Sequence, residues 1–141
     1  MAVLRPNSDA GGDAIDAVLD AVPNGSDFRV LTHLERETFL DVMGVSDLMI
    51  GNSSSGIIES ASFALPCVNI GTRQNDRQRN ANTFDCPTLA QDTITAAINA
   101  AQNWPRTREN VYGDGKTDTR LLDILTTLAL TPELLSKRPT Y

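Results

Sequence analysis

Cysteine and histidine are almost missing from this 141-residue chain. Cys67 and Cys86 are the two cysteines, and His33 is the single histidine. Two cysteines are too few for a disulfide framework or a four-ligand zinc site, and one histidine leaves little for metal or catalytic-triad chemistry. We therefore expect no metal and no cofactor, and we interpret His33 as a surface or core residue.

Long apolar runs are also lacking. No stretch approaches the roughly 18 apolar residues of a membrane-spanning helix, and Pro6 and Asn7 interrupt the start before a signal-peptide core could form. A chain of this size buries one ordinary core. We expect a soluble, cytoplasmic protein in which residues 1–141 form one domain or part of one.

Positive charge is scarce in the first half of the chain. Residues 1–70 carry 3 basic and 10 acidic side chains, a net charge of −7, whereas residues 71–141 carry 9 and 8, a net charge of +1. The total charge of −6 argues against a nucleic-acid or membrane partner. The second half contains an arginine cluster, formed by Arg73, Arg77 and Arg79. This cluster favours a small anionic ligand.

Short apolar runs alternate with stretches of helical period. The apolar runs predict buried strands over residues 2–4, 28–31, 47–50 and 66–70. Apolar residues at helical spacing lie between these runs, and Pro23, Asn24 and Gly25 are expected to end the first helix. This order predicts an α/β fold with a doubly wound, Rossmann-like parallel sheet, which binds ligands beyond the carboxyl ends of its strands.

The pattern changes after the fourth predicted strand. An arginine-rich polar loop comes first, and the helical periods that follow predict helices near residues 93–102 and 117–130. A last short helix is expected to begin with Thr131 as its N-cap and Pro132 as its first residue.

A loop of small polar residues follows the third predicted strand. Its sequence, Gly-Asn-Ser-Ser-Ser-Gly over residues 51–56, leads into the apolar helix start Ile57-Ile58. Small residues let a ligand approach the backbone, and the amides and dipole of the helix start favour a phosphate or diphosphate. Serine and asparagine also cluster at ordinary N-caps, but three consecutive serines exceed what one cap requires.

Glu59 lies one turn into the same predicted helix. A carboxylate at this place can accept hydrogen bonds from both ribose hydroxyls of a nucleotide, as the acidic residue of dinucleotide-binding folds does. An acidic residue in a first helical turn is also favoured by the helix dipole without any ligand. The two interpretations are compatible.

A second anion-binding feature follows the fourth predicted strand. The segment 71–79 reads Gly-Thr-Arg-Gln-Asn-Asp-Arg-Gln-Arg. Parallel strands place this segment beside the serine loop at one edge of the sheet, and arginine side chains suit phosphate oxygens. A solvated charged loop is the alternative. We expect at least one of Arg73 and Arg77 to face the diphosphate.

Four motifs in order resemble the UDP-N-acetylglucosamine 2-epimerase family. They are Pro6–Gly12, Gly51–Glu59, Asn69–Gln74 with Arg77, and Tyr112–Gly115. The Asn-Ser-Ser and Gly-x-Arg-Gln patterns are most similar to the hydrolysing branch. The resemblance implies the C-terminal, UDP-binding half of a glycosyltransferase-B-like architecture, whose N-terminal domain supplies most catalytic groups.

The resemblance also implies roles for individual residues. Ser53, Ser54, Ser55 and Gly56 would hold the diphosphate, Glu59 the ribose, and Arg73 with Arg77 the phosphates or the nearby sugar. Asn7 would line the nucleotide pocket, and the backbone around Leu34 would meet the uracil edge. The catalytic acid and base of the family are not recognisable in this chain.

The implied reaction converts UDP-N-acetylglucosamine to N-acetylmannosamine and UDP. UDP leaves the sugar C1 as the C2 proton is lost, and water then adds to the 2-acetamidoglucal-like intermediate. Two other functions remain open: a UDP or UDP-sugar binding module without turnover, and a glycosyltransferase-B domain for another sugar nucleotide. Two protein partners are considered for this chain: a separate N-terminal half, or a second copy of the chain in a homo-oligomer.

Three residues depart from the family pattern. Asp76 and Asn80 stand where glycine is usual, and we expect them to keep the turn because both types tolerate positive φ. Asp76 also adds negative charge beside the proposed phosphate arginines. Val111 replaces a usual proline, and we expect this change to loosen the Tyr112–Gly115 segment.

Overall fold

The computed structural model describes residues 1–7, 11–22, 25 and 27–136. The chain divides into two units, Met1–Ser46 and Asp47–Tyr141. In both units, strands pair in parallel and helices alternate with them. The predicted α/β fold of Rossmann-like type is confirmed. Within the described ranges, no helix is long and apolar enough to cross a membrane.

The first unit is a strand–helix–strand–helix segment. Strand β1 (Ala2–Leu4) pairs in parallel with β2 (Arg29–Leu31), and α1 (Gly12–Asp20) connects them, while α2 (Arg36–Val45) follows β2. Arg5, just after β1, donates to Asp16 of α1 over 2.8 Å and so ties the strand to the helix. The predicted helix-ending residues Pro23 and Asn24 lie outside the described residues.

The second unit is built on a parallel sheet in the order β3-β4-β5. Its strands are β3 (Met49–Gly51), β4 (Cys67–Ile70) and β5 (Thr83–Cys86). The central strand β4 is buried from Cys67 to Asn69, as expected of a parallel strand covered on both faces. Between β3 and β4 lie the short helix α3 (Ser55–Ile58) and a 3₁₀ turn (Ser60–Phe63).

Helix α4 (Gln91–Gln102) covers one face of this sheet. Its apolar stripe recurs at helical spacing and consists of Ile94, Ala97, Ile98 and Ala101. Ala101 is buried together with Val68 of β4 and Cys86 of β5. This core holds β4 and β5 in place. The carboxyl ends of β3 and β4 carry the loops that concern the site.

Within residues 103–136, the structure shows two helices, α5 (Thr117–Thr127) and α6 (Pro132–Leu135). The predicted N-cap of α6 is confirmed, because Thr131 Oγ1 accepts from the Leu134 amide over 3.3 Å. No strand was predicted after residue 70, and this was wrong, since Thr83–Cys86 forms β5. That strand is four residues long and includes a charged Asp85, so its local pattern resembles a loop.

Candidate functional site

Two loops leave the carboxyl ends of neighbouring strands in the second unit. The Ser loop (Asn52–Ser55) follows β3, and the Arg loop (Gly71–Arg79) follows β4. Gly71 begins the Arg loop with φ of 81°, a left-handed conformation that favours glycine. Because β3 and β4 are parallel, both loops lie at one edge of the sheet.

Two side chains of the Arg loop donate to one carbonyl oxygen of the Ser loop. Gln74 Nε2 donates to the Asn52 oxygen over 2.8 Å, and Arg73 Nη1 donates to the same oxygen over 3.2 Å. Arg73 is exposed, whereas Gln74 is only 3% exposed. The structure therefore brings the Arg73 guanidinium next to the Ser loop, as the parallel order of the strands predicted.

The peptide groups of the Ser loop have a common orientation. The Ser53 oxygen accepts from the Gly56 amide over 3.2 Å, and the Ser54 oxygen accepts from the Ile57 amide over 3.0 Å. In a planar trans peptide the N–H points opposite to the C=O. The amides of Ser54 and Ser55 therefore point away from α3, which is the orientation that an anion at a helix start requires.

The serine side chains leave most of this surface open. Ser53 Oγ is 3.4 Å from the Ser55 amide, a long hydrogen bond, and Ser54 makes no side-chain cap. Within the described part of the chain, the amides of Ser53 and Ser54 have no hydrogen-bond acceptor. Ser53 is exposed, and Ser54 and Ser55 are half-buried. These amides and hydroxyls are the donors available to a ligand.

Gly56 is buried and is required for the packing of α3. A Cβ at this position would collide with Cys67 Sγ of β4. The missing side chain lets the helix approach the strand closely, a role that one glycine also has in dinucleotide-binding folds. Burial raises the pKa of the Cys67 thiol to about 12, so this cysteine is a small apolar residue at neutral pH.

Glu59 lies one turn beyond the Ser loop. Its amide donates to the Ser55 oxygen over 3.0 Å, and the residue is half-buried. Glu59 is the C-cap of α3, whereas Ser54 is its N-cap, so the expectation that Glu59 lies inside the first turn of a longer helix was wrong.

The remaining arginines of the Arg loop differ in their surroundings. Arg79 donates to both oxygens of Asp85 on β5, at 2.9 Å to Oδ2, and its Nη1 donates to the Gln74 oxygen over 2.6 Å. The Arg79 guanidinium lowers the pKa of the Asp85 carboxyl below its ordinary value. Arg79 thus fixes the fold of the loop, whereas Arg77 is exposed on it.

Asn80 corrects one expectation from the sequence. Neither Asn80 nor Asp76 has positive φ, so tolerance of that conformation does not explain these residue types. Asn80 is buried, and its Nδ2 donates to the Ile57 oxygen over 2.9 Å. Because Ile57 lies in α3, the asparagine side chain satisfies a carbonyl that a helix of four residues leaves without a partner.

The expected loosening at Val111 is also wrong. The Val111 amide donates to Asn80 Oδ1 over 2.8 Å, a hydrogen bond that proline could not make. Asn110 strengthens the same connection, because its Nδ2 donates to the Ile58 oxygen over 2.8 Å. The segment that leads into Tyr112–Gly115 is therefore attached to the C-terminal end of α3.

Asn82 also stabilises the segment around α3 through buried hydrogen bonds. Asn82 is fully buried, and its Nδ2 donates to Ser60 Oγ over 2.7 Å and to the Leu65 oxygen over 2.6 Å. Ser60 in turn donates to the Gly56 oxygen over 2.7 Å. The burial of Gln74, Asn80 and Asn82 was not predicted, because an isolated polar residue in a loop gives no local sign that it is buried.

Asn7 and Leu34 belong to the first unit. Asn7 follows β1 and is exposed, while Leu34 follows β2 and is half-buried. A Cβ at Gly12 would lie 2.9 Å from the Asn7 oxygen, so the glycine lets the start of α1 lie close to Asn7. Ser8–Ala10 of the same motif lie outside the described residues. The assignment of Asn7 and Leu34 to a nucleotide stays a prediction.

The described residues contain no cluster of side chains that could bind a metal ion. No group of three or more histidine, cysteine, aspartate and glutamate side chains there could hold a metal ion. The Ser loop and Arg73 instead place serine amides, serine hydroxyls and a guanidinium at one edge of the parallel sheet. Such an arrangement is typical of α/β proteins that bind phosphorylated ligands.

Comparison with known proteins identifies the family. A family model described as UDP-N-acetylglucosamine 2-epimerase matches residues 1–126. The chain belongs to this family, as the four motifs indicated.

Relatives specify the branch. The chain is 44% identical over 139 residues to a UDP-N,N'-diacetylbacillosamine 2-epimerase (hydrolyzing) from Legionella pneumophila, covering 98% of this chain and 37% of the relative. It is 39% identical over 83 residues to a GDP/UDP-N,N'-diacetylbacillosamine 2-epimerase (hydrolyzing) from Campylobacter jejuni, covering 57% and 22%.

A third relative carries the name of the family. The chain is 26% identical over 117 residues to a UDP-N-acetylglucosamine 2-epimerase from Neisseria meningitidis, covering 82% of this chain and 30% of the relative. The chain thus spans about a third of the length of these relatives, and the hydrolysing branch is confirmed by the first two.

Proposed function

We propose that this chain is the UDP-binding portion of a hydrolysing UDP-sugar 2-epimerase. The observation that carries the proposal is the meeting of the Ser loop and the Arg loop at the Asn52 oxygen, in a chain of this family. In the proposal, the chain forms the C-terminal half of a glycosyltransferase-B-like architecture. An N-terminal half then supplies the groups that handle the sugar.

The diphosphate is the group that this edge of the sheet is suited to hold. Ser53, Ser54 and Ser55 offer amides and hydroxyls, and Arg73 offers a guanidinium that now donates to a neutral carbonyl. A charged phosphate oxygen is a stronger acceptor than a carbonyl, so Arg73 gains by turning to the ligand. Arg77, exposed on the same loop, adds a second positive charge. Gly56 contributes by letting α3 approach β4.

Glu59 is proposed to hold the ribose. Its place one turn beyond the serines supports this role, because ribose and diphosphate are adjacent in UDP. An ionised carboxylate accepts hydrogen bonds from two vicinal hydroxyls. Loss of this contact would weaken uridine and UDP alike.

The chemistry needs most help at the leaving group. The C1–O bond breaks, its electron pair leaves with UDP, the C2 proton departs and a C1–C2 double bond forms. Negative charge therefore grows on the diphosphate in the transition state. Fixed donors aimed at developing charge lower such barriers, typically by several kcal/mol. We assign the donors of the Ser loop and Arg73 to this task and assign no residue to the C2 proton.

The sugar is proposed to be a 2-acetamido hexose. Two hydrolysing relatives, at 44% and 39% identity, are named for N,N'-diacetylbacillosamine, and the relative named for N-acetylglucosamine is 26% identical. The order of these identities supports N,N'-diacetylbacillosamine over the N-acetylglucosamine that the motifs alone indicated. A cytoplasmic site of action belongs to the proposal and is supported by the free thiols of Cys67 and Cys86.

Calorimetric titration of the 141-residue chain with UDP and with uridine tests the nucleotide site. We expect UDP to bind and uridine to bind more weakly. Glu59→Ala should weaken both about tenfold or more, as loss of a hydrogen bond to a charged group does. Glu37→Ala, which removes an exposed glutamate from the first turn of α2, is the matched control and should change neither. No heat and no thermal shift at millimolar UDP would refute the proposal.

A second assay separates enzyme from binding module. The chain is mixed with the N-terminal part of the Legionella relative, and UDP release is measured from UDP-N,N'-diacetylbacillosamine and from UDP-N-acetylglucosamine. Release that requires both parts supports the epimerase. Binding of UDP without release from either sugar nucleotide would favour a module that binds without turnover.

A further inference from the structure

We propose that Gln74 is a positioning residue that sets the Ser53 amide for the diphosphate. This inference rests on the proposed function, because it concerns the same site. Gln74 is 3% exposed and its Nε2 donates to the Asn52 oxygen over 2.8 Å. It is therefore a contact between the loops, a role that the Gly-x-Arg-Gln pattern in the sequence did not assign to it.

The geometry of successive peptide groups gives Gln74 its role. The carbonyls of Ser53 and Ser54 accept from amides of α3, so the helix itself orients the Ser54 and Ser55 amides. The Asn52 carbonyl precedes the helix, and its donors in the Arg loop are Gln74 and Arg73. Since N–H and C=O point in opposite directions across a trans peptide, holding the Asn52 carbonyl fixes the direction of the Ser53 amide.

Gln74 and Arg73 differ in how firmly they can hold that carbonyl. The Arg73 side chain is exposed and carries a charge that a diphosphate would attract, so its bond to Asn52 competes with the ligand. The Gln74 amide is neutral and buried, and its position does not depend on the ligand. When Arg73 turns to the diphosphate, Gln74 still holds the peptide.

The carbonyl oxygen of the Gln74 side chain, Oε1, indicates that this residue does not serve stability. Gln74 Oε1 is buried and has no hydrogen-bond partner among the described residues. A buried acceptor without a donor destabilises a fold, and an apolar residue of similar shape would avoid that cost. A glutamine at this position is therefore better explained by what its Nε2 positions than by the stability it adds.

Gln74→Met tests the inference, because methionine keeps the length of the side chain and removes the amide. We expect UDP affinity to fall about tenfold, the upper effect of losing one hydrogen bond, while uridine affinity changes less than about twofold. The urea midpoint should stay the same or rise. Gln78→Met is the matched control, since Gln78 is an exposed glutamine of the same loop, and it should leave all three quantities unchanged.

The possible results separate the inference from the function on which it rests. Unchanged UDP affinity in folded Gln74→Met, or an equal loss of UDP and uridine affinity together with a lower urea midpoint, overturns the positioning role. Should Gln74→Met not fold, Gln74→Asn replaces it, because its amide is one methylene too short to reach Asn52, and the same selective loss is expected. If the unaltered chain does not bind UDP, the proposed function itself has failed.

Discussion

The contact between α3 and β4 predicts that Gly56 tolerates no larger residue. A Cβ there would collide with Cys67 Sγ and lie 3.6 Å from Met49 Sδ. Gly56 and Cys67 are both buried, so neither can shift into solvent. Overpacking a core costs about 1 to 3 kcal/mol, and this collision belongs at the upper end. Alanine regains about 1 kcal/mol of helix propensity, so Gly56→Ala should lower the unfolding free energy by about 2 kcal/mol.

Removing the Cys67 sulfur should reverse the sign of this effect. In a Cys67→Ala background the added methyl group has space, and Gly56→Ala should be neutral or stabilising by up to about 1 kcal/mol. Urea unfolding of the four proteins of this double-mutant cycle, followed by circular dichroism, gives the coupling. Groups in direct contact couple by about 0.5 to 3 kcal/mol. Additive effects of the two substitutions would refute the close packing of helix on strand.

Three further substitutions test the contacts around the site. The pKa of Asp85 is lowered first by its hydrogen bonds from Arg79, so its stabilising contribution is present above the unfolded pKa of about 3.9 and is lost as the pH falls through the folded value. Asp85→Asn should therefore flatten the loss of urea stability below about pH 4. Asn82→Ala should lower the unfolding free energy by about 2 to 4 kcal/mol, because it removes two buried hydrogen bonds. Val111→Pro should lower it by about 1 to 3 kcal/mol, since Asn80 Oδ1 loses its amide donor.

Matched variants sharpen these measurements. Val111→Ala keeps the amide and should stay within about 0.5 kcal/mol of the unaltered chain, as surface substitutions do. Asn75→Ala removes an exposed asparagine and should do the same. A proline at 111 as stable as alanine would contradict the bond to Asn80, and a tolerated Asn82→Ala would contradict the buried network. If the urea stability of Asp85→Asn fell below pH 4 as steeply as that of the unaltered chain, the contact between Asp85 and Arg79 would be contradicted.

The sequence predicted the positions of the loops better than their internal contacts. The apolar run before residue 51 predicts a buried strand. The strand forms as β3, but its predicted burial was wrong, since Ile50 is 47% exposed. Parallel order alone places the loop of Arg73 beside that of Ser53. Strand β5 was missed because Asp85 interrupts its apolar pattern. The charge is accommodated there by Arg79 and by Asn69, which donates to Asp85 over 2.7 Å. Such partners come from other segments, so a local pattern does not show them.

The roles of single asparagines and glutamines were not predictable for a related reason. Asn80 was expected to adopt the positive φ of a turn. Its side chain instead donates to Ile57 and Asn110 and accepts from the Val111 amide, so it connects three segments. Gln74 lies among charged and polar neighbours in sequence and is nevertheless buried. Burial of a polar side chain depends on where the surrounding segments pack. The residue type alone carries no information on that packing.

Amide chemical shifts of the labelled chain during nucleotide titration show whether the Ser loop and Arg73 hold the diphosphate. With UDP, we expect the amide resonances of Ser53, Ser54 and Ser55 and the guanidinium resonance of Arg73 to shift together, and with uridine to stay nearly unchanged. Equal shifts with both ligands, or UDP shifts confined to residues outside these two loops, would contradict the account.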